Sequence, residues 1–337
     1  MKKFIIPFVL AICLLFSGCS CVGATYLEFS SAWGGSNTGY SETLVYDVEF
    51  KKDYAGEGKS YSQDETISDL NTQIVGTYVV NTKILSAVDP SIPDHVKQTE
   101  VFKNNPSTVI AIKTALNLSA TYTYLQTVEN CTDVIETETY ICSFDYALAP
   151  IYSESNFDYG IIRVNEGLTV ERLKGKNNAI YQGSSYKTAT IVYDQESGER
   201  IVSENEEDYT LKTLIDSNQL LFTIRNLKLD LEQTKVLPTV HPTYNQAKEI
   251  SVSHFCNSER TVTLNGISKV FKVSGMSYRL NSVDAAGFEQ LVFVQNAAID
   301  GVENKALIVS YVEPLVEYAA YRMTGAMVYS LKTIAIA

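Results

Sequence analysis

Apolar and polar side chains alternate with a period of two through most of this chain, and that period puts successive side chains on opposite faces of a β-strand. Leu44, Tyr46, Val48 and Phe50 face one way, Asp47 and Glu49 the other. The longest run takes Ile110, Ile112, Thr114, Leu116, Leu118, Ala120, Tyr122 and Tyr124 along one face, against Lys113, Asn117, Ser119, Thr121 and Thr123. After Glu129-Asn130-Cys131-Thr132 a second run sets Tyr140, Cys142, Phe144 and Tyr146 on one side, so the two runs read as one long hairpin. Further strands are predicted at Thr72–Leu85, Tyr186–Asp194, Glu249–Cys256, Arg260–Leu264, Ile267–Val273, Gln290–Gln295, Lys305–Val312 and Ala326–Ile334. Such clean alternation belongs to antiparallel sheets with one wet face. The expected fold class is therefore mainly β, a large curved antiparallel sheet of half-barrel or sandwich-like form, with one or few helices.

One segment departs from the pattern. Asp216-Ser217 can cap a helix on which Leu220, Ile224, Leu227 and Leu231 recur at helical spacing, ending before Pro238. A strand at Leu220–Leu229 is the competing reading. The region 154–183 is rich in glycine (Gly160, Gly167, Gly175) and reads as a loose excursion or a subdivision of one domain. With 45% hydrophobic and 20% charged residues the chain is globular, and residues 25–337 are expected to form a single β-rich domain.

The start of the chain carries a different signal. Lys2 and Lys3 precede an apolar run from Phe4 to Phe16 broken only by Pro7, followed by Ser17-Gly18 and Cys19. The run is too short to span a bilayer, which takes ~20 apolar residues as a helix. The stretch Leu15-Phe16-Ser17-Gly18-Cys19 resembles the lipobox of bacterial lipoprotein precursors, with Phe16 where Leu is usual. The resemblance implies that 1–18 is a signal peptide, that Cys19 bears a diacylglyceryl thioether, and that 19–24 is a short tether. Two acyl chains hold a protein stably on a membrane, so an extracytoplasmic, membrane-bound domain is expected. An ordinary cleavage after Ala24 is the alternative, because Val22-Gly23-Ala24 also offers small residues. No later stretch is apolar enough to span a membrane, and Arg322 and Lys332 interrupt the last apolar region, so anchoring is expected at the N-terminal end only.

With 27 basic and 39 acidic residues the charge is −12, and loss of Lys2 and Lys3 leaves 25 against 39, or −14. Such a surface repels nucleic acid and anionic headgroups, so no nucleic-acid partner is expected. The order of features also resembles uncharacterised exported bacterial domains built like the lipoprotein carriers LolA and LolB. It runs from long alternating strands through Ala149-Pro150, Val192-Tyr193-Asp194, Asp216 and an apolar helix with Arg225 to a last strand led by Gly325. That resemblance implies a half-barrel with an apolar concave side and transfers no catalytic residue.

Motifs for chemistry are sparse. The histidines are His95, His241 and His254, and no H-E-x-x-H occurs. His254 and Cys256, two apart, share a strand face and could begin a metal site, but Ile250 and Val252 lie on the same face and mark it as core. Ser184-Ser185-Tyr186-Lys187 fits S-x-x-K only as a string, since it leads into a strand and not a helix. Gly56-Glu57-Gly58-Lys59 reads as a turn. The 22 tyrosines suit a carbohydrate platform or simply strands. Cys131, at the expected hairpin tip, and Cys142, eleven residues along the alternating strand, are roughly 35 Å apart at ~3.3 Å per residue and are not expected to pair, since a disulfide needs Cα atoms within ~7 Å.

No catalytic residue, metal or cofactor is expected. Three roles remain: an envelope lipoprotein binding an apolar or amphiphilic ligand in the curved sheet, a surface scaffold or adhesion module meeting an envelope protein, and a surface hydrolase, which needs a polar cleft with a shifted acid. For the first, a strongly twisted sheet with one apolar face must cover that face or leave a cavity, and one helix is short cover for so long a sheet. Leu116, Leu118, Tyr122, Tyr140 and Phe144 are the candidate pocket for an acyl chain, and packing as ordinary core is the competing reading.

Overall fold

The structure, a computed structural model, describes residues 38–52, 54–56, 59–60, 70–104, 108–144, 147–164, 167–194, 198–209, 214–240, 248–281, 289–314 and 325–337. Cys19, the signal segment, Cys21 and His241 lie outside them, as do the side chains of Phe144 and Tyr146.

The first described strand lies in the middle of the sheet. β1 (Ser41–Lys52) is flanked by β4 (Leu70–Ser86) on one side and by the last strand, β17 (Gly325–Ile336), on the other. A small ribbon, β2 (Ala55–Gly56) with β3 (Lys59–Ser60), follows β1. From β4 the chain meanders outward through β5 (Thr108–Tyr124), β6 (Thr127–Phe144), β7 (Ala147–Val164), β8 (Leu168–Tyr181), β9 (Ser185–Asp194) and β10 (Gly198–Asp208). It then crosses to the opposite edge as β11 (Ile215–Asp216) and passes a 3₁₀ turn (Ser217–Gln219) and a short helix. It returns through β12 (Thr234–Val240), β13 (Lys248–Leu264), β14 (Ile267–Asn281), β15 (Gln290–Gln295) and β16 (Ile308–Pro314) to β17. Among the described residues this makes one 15-stranded sheet, antiparallel except for the β11–β12 pair.

Among the described residues three short helices accompany it: α1 (Asp94–Lys97), α2 (Glu100–Asn104) and α3 (Leu220–Arg225). α3 lies on the inner face, where Leu220, Phe222 and Ile224 join Leu44, Tyr46, Val48, Ile110 and Ile112 in the main core. α1 and α2 pack on the other face, where Ile92, Val96, Val101 and Phe102 cluster with Val109, Ala111, Tyr140 and Cys142. Val109 to Ile112 are therefore all buried, because β5 is covered from both sides.

The sheet rolls without closing. Asp216, on the last strand of one edge, accepts hydrogen bonds from Ser153 Oγ of β7 (2.5 Å) and Tyr181 OH of β8 (2.6 Å), near the other edge. It also caps the 3₁₀ turn by accepting from the Asn218 backbone N–H (2.8 Å). Side chains thus join a seam that no backbone ladder spans, and β9 and β10 extend past it.

The predicted hairpin forms, but its turn lies at Leu125-Gln126, ahead of the expected 129–132. Cys131 is consequently within β6, and Cys131 and Cys142 are not bonded to each other, as expected. The helix begins after the Asp216 cap but ends at Arg225, short of Leu231, which is exposed. Residues 154–183, loose in the sequence reading, are the regular pair β7 and β8. Their glycines serve close packing: a Cβ on Gly160 would lie 2.5 Å from Val170 Cγ1, and one on Gly175 2.3 Å from the Ile191 carbonyl.

Candidate functional site

The β5–β6 register decides which candidate pocket residues can meet. A two-residue turn pairs Tyr124 with Thr127, so every even residue of β5 opposes an odd residue of β6: Ile110 with Ile141, Leu116 with Ile135. The sequence reading placed the even faces of both strands side by side, and this register separates them. Leu116, Leu118 and Tyr122 are on the inner face, Tyr122 within the main core and the two leucines packed against it. Tyr140 is on the outer face, beneath α1 and α2, opposite Ala111. The side chain of Phe144 lies outside the described residues.

Beneath α3, between Tyr46, Tyr78, Ile112, Phe222, Tyr311 and Tyr329, remains a hollow of only about 30 Å³. That admits one or two waters and no acyl chain. More space lies further along the inner face. A groove of about 430 Å³ crosses β6 to β9 beside the 3₁₀ turn, within the range of small-ligand sites. Ile135, Phe157, Tyr159, Leu173 and Val192 supply its apolar lining, and Thr137, Ser155, Asn177, Thr190, Ser217 and Asn218 its polar lining.

The register shows how the sequence builds this contrast. Directly opposed residues run from strand to strand as Leu44, Val80, Thr114, Thr137, Ser155, Asn177 and Thr190. The row is apolar where α3 covers it and polar beyond, from β5 outward. The neighbouring row, Leu116, Ile135, Phe157, Gly175 and Val192, stays apolar. Thr114 and Thr137 share a hydroxyl hydrogen bond (2.7 Å), and Asn218 donates to Ser155 Oγ (3.0 Å). Asn177 Oδ1 and Ser217 Oγ are buried without a hydrogen-bond partner.

Two anchors fix α3 so that it leaves this groove open. Asp216 holds its start at the seam. At its end Arg225 forms a buried bidentate pair with Glu42 (2.8 and 3.2 Å) and donates to the carbonyls of Ala306 (2.9 Å) and Lys305 (3.0 Å). Sequence reading noted both Asp216 and Arg225 without finding their partners, which are brought near only by the rolled sheet.

Titratable groups cluster elsewhere. Burial raises the pKa of Asp216, in part offset by its three donors. Glu313 is likewise raised by burial, and Tyr329 OH, donating to it (3.1 Å), partly offsets the shift. Burial pushes the Cys131 thiol up to about 11 and that of Cys142 to about 12, so both are protonated at neutral pH. A bulge between His254 and Cys256 pairs them with Met276 and Gly275, putting them on opposite faces where the sequence reading had one. Both ring nitrogens of His254 lie against carbonyl oxygens, those of Leu229 and Cys256 (3.0 Å each), so neither faces open space where a metal could sit. Among the described residues no three His, Cys, Asp or Glu side chains come together as a metal site.

No protein-family model matches the chain, and no curated protein is significantly similar to it. A solved β-barrel-like protein of a domain of unknown function, DUF1849, from Brucella abortus is similar at 8% identity with a TM-score of 0.42, over 88% of this chain and 98% of that one.

Proposed function

We propose that this chain is a lipoprotein held on a membrane by a diacylated Cys19, with its domain on the extracytoplasmic side, and that the open half of the rolled sheet binds an amphiphilic ligand. The observation that carries the binding half is the groove across β6 to β9, with an apolar and a polar lining and no helix over it. Its lining contains, among the described residues, no carboxylate, histidine or cysteine, which supports binding over hydrolysis. The pocket first sought at Leu116, Leu118 and Tyr122 is replaced by one two strands outward, since those three pack on the core.

Each half has its own test. In a bacterial host the wild type partitions into detergent after phase separation, whereas Cys19→Ala accumulates unprocessed or leaves the membrane fraction; a wild-type protein that stays soluble with 1–24 removed contradicts the anchor. For the groove, Val192→Arg, at a half-buried position, abolishes binding of a fluorescent amphiphile without lowering the melting temperature. Undiminished binding by that variant contradicts the site, and leaves a surface scaffold as the remaining role.

A further inference from the structure

We infer that the polar part of the ligand is an uncharged sugar ring, lying across the strands with its C–H face on Phe157 and its hydroxyls along the Thr137, Ser155, Asn177 and Thr190 row. This rests on the amphiphile reading above and narrows its ligand class. Three observations lead to it.

The eleven residues lining the groove include no Asp, Glu, Lys, Arg or His. A phosphate, carboxylate or ammonium entering it would leave water without meeting a counter-ion, which is costly. A neutral head meets no such penalty.

Two of those residues hold buried oxygens with no partner, Asn177 Oδ1 and Ser217 Oγ. Native proteins leave few such atoms unsatisfied. The amide oxygen only accepts, so its missing partner is a donor; a hydroxyl supplies one and an ionised phosphate or carboxylate does not. The row repeats at the inter-strand step of ~4.8 Å, so polar side chains on two adjacent strands lie within reach of the hydroxyls of one sugar ring.

The third observation is the apolar lining. The Phe157 ring lies over Gly175, where an added Cβ would be 2.6 Å from Phe157 Cζ and 3.0 Å from Cε2. The ring is thus laid along the sheet, with Tyr159 beside it at 5.7 Å between centroids. Aromatic faces are electron-rich and receive C–H groups, while the rim of the same sugar stays wet. An aromatic platform beside a neutral row of hydroxyl and amide groups fits the C–H face of a sugar ring and the hydroxyls at its edge.

Calorimetry on the purified full chain with three probes sharing a hexyl tail tests this: hexyl glucoside, hexyl phosphocholine and hexanoate. The expected result is that the glucoside binds about tenfold more tightly than either ionic probe, and that Asn177→Ala and Ser217→Ala each lower its affinity about three- to tenfold, as loss of one hydrogen bond does, with phosphocholine affinity unchanged. Should one variant fail to fold, the other still carries the comparison. Equal affinity for all three probes overturns the sugar assignment and leaves the amphiphile site standing. No binding by any probe overturns both.

Discussion

Glu42 and Arg225 meet across 183 positions of sequence, and both are buried. A buried pair of this kind adds little net stability over an apolar substitute, but removing one partner leaves the other charge stranded. Glu42→Ala is therefore expected to cost about 3–5 kcal/mol in denaturant unfolding, and Glu42→Met with Arg225→Met together much less than the sum. Glu313 gives a pH-dependent counterpart. Its native pKa is raised above the ordinary carboxylate value by burial. Between those two values the native state binds more protons than the unfolded chain, so stability falls as pH rises through that window. Glu313→Gln removes this ionisation. Its unfolding free energy should fall less between acid and neutral pH than that of wild type; a parallel pH profile would mean that Glu313 is not the group responsible. Neither pair of partners was legible in the alternation, which reports the face of each residue and not what lies across the interior.

At the scale of elements many strands were readable, because period two shows without any tertiary knowledge, and β15 falls on its predicted bounds, whereas β7 and β8, within the stretch read as loose, were not. Turns were readable only where their chemistry is orthodox. Asn265-Gly266, both at positive φ, joins β13 to β14 as a type I′ turn should. Leu125-Gln126 has no such signature, yet Leu125 sits at φ 53°. A left-handed backbone costs a non-glycine residue roughly 1–2 kcal/mol, and Leu125 is 67% exposed, so little burial is lost on truncation. Leu125→Gly should accordingly raise stability by up to about 1 kcal/mol, read as a higher melting temperature; a lower one would show that the side chain holds the turn. That unread turn is also why the candidate pocket was misassembled. Moving the hairpin tip by a few residues fixed a register in which Tyr140 belongs to the opposite face from Leu116.

At the scale of the whole molecule, alternation gave a curved sheet but not its order. A strand order that runs from the middle out to one edge and back from the other leaves no local mark. The rolled sheet keeps one long edge, β10, on which Glu204, Glu206 and Asp208 are exposed. Charges on an open edge oppose pairing with another chain. Replacing all three by Thr should promote self-association in light scattering, and a variant that stays monodisperse would show that the charges do not guard this edge. That a single short helix cannot cover so long a sheet was foreseeable, whereas the location of the uncovered part was not. It depends on the two anchors of α3 at Asp216 and Arg225, and these set the groove over β6 to β9. The most direct test of the account is photocrosslinking of the full chain with a diazirine-bearing alkyl glucoside, followed by peptide mapping. The account predicts label on residues 135–159 and 173–192, displaced by unlabelled glucoside. Label concentrated on Leu116, Leu118 and Tyr122, or spread over the surface and not displaced, would contradict it.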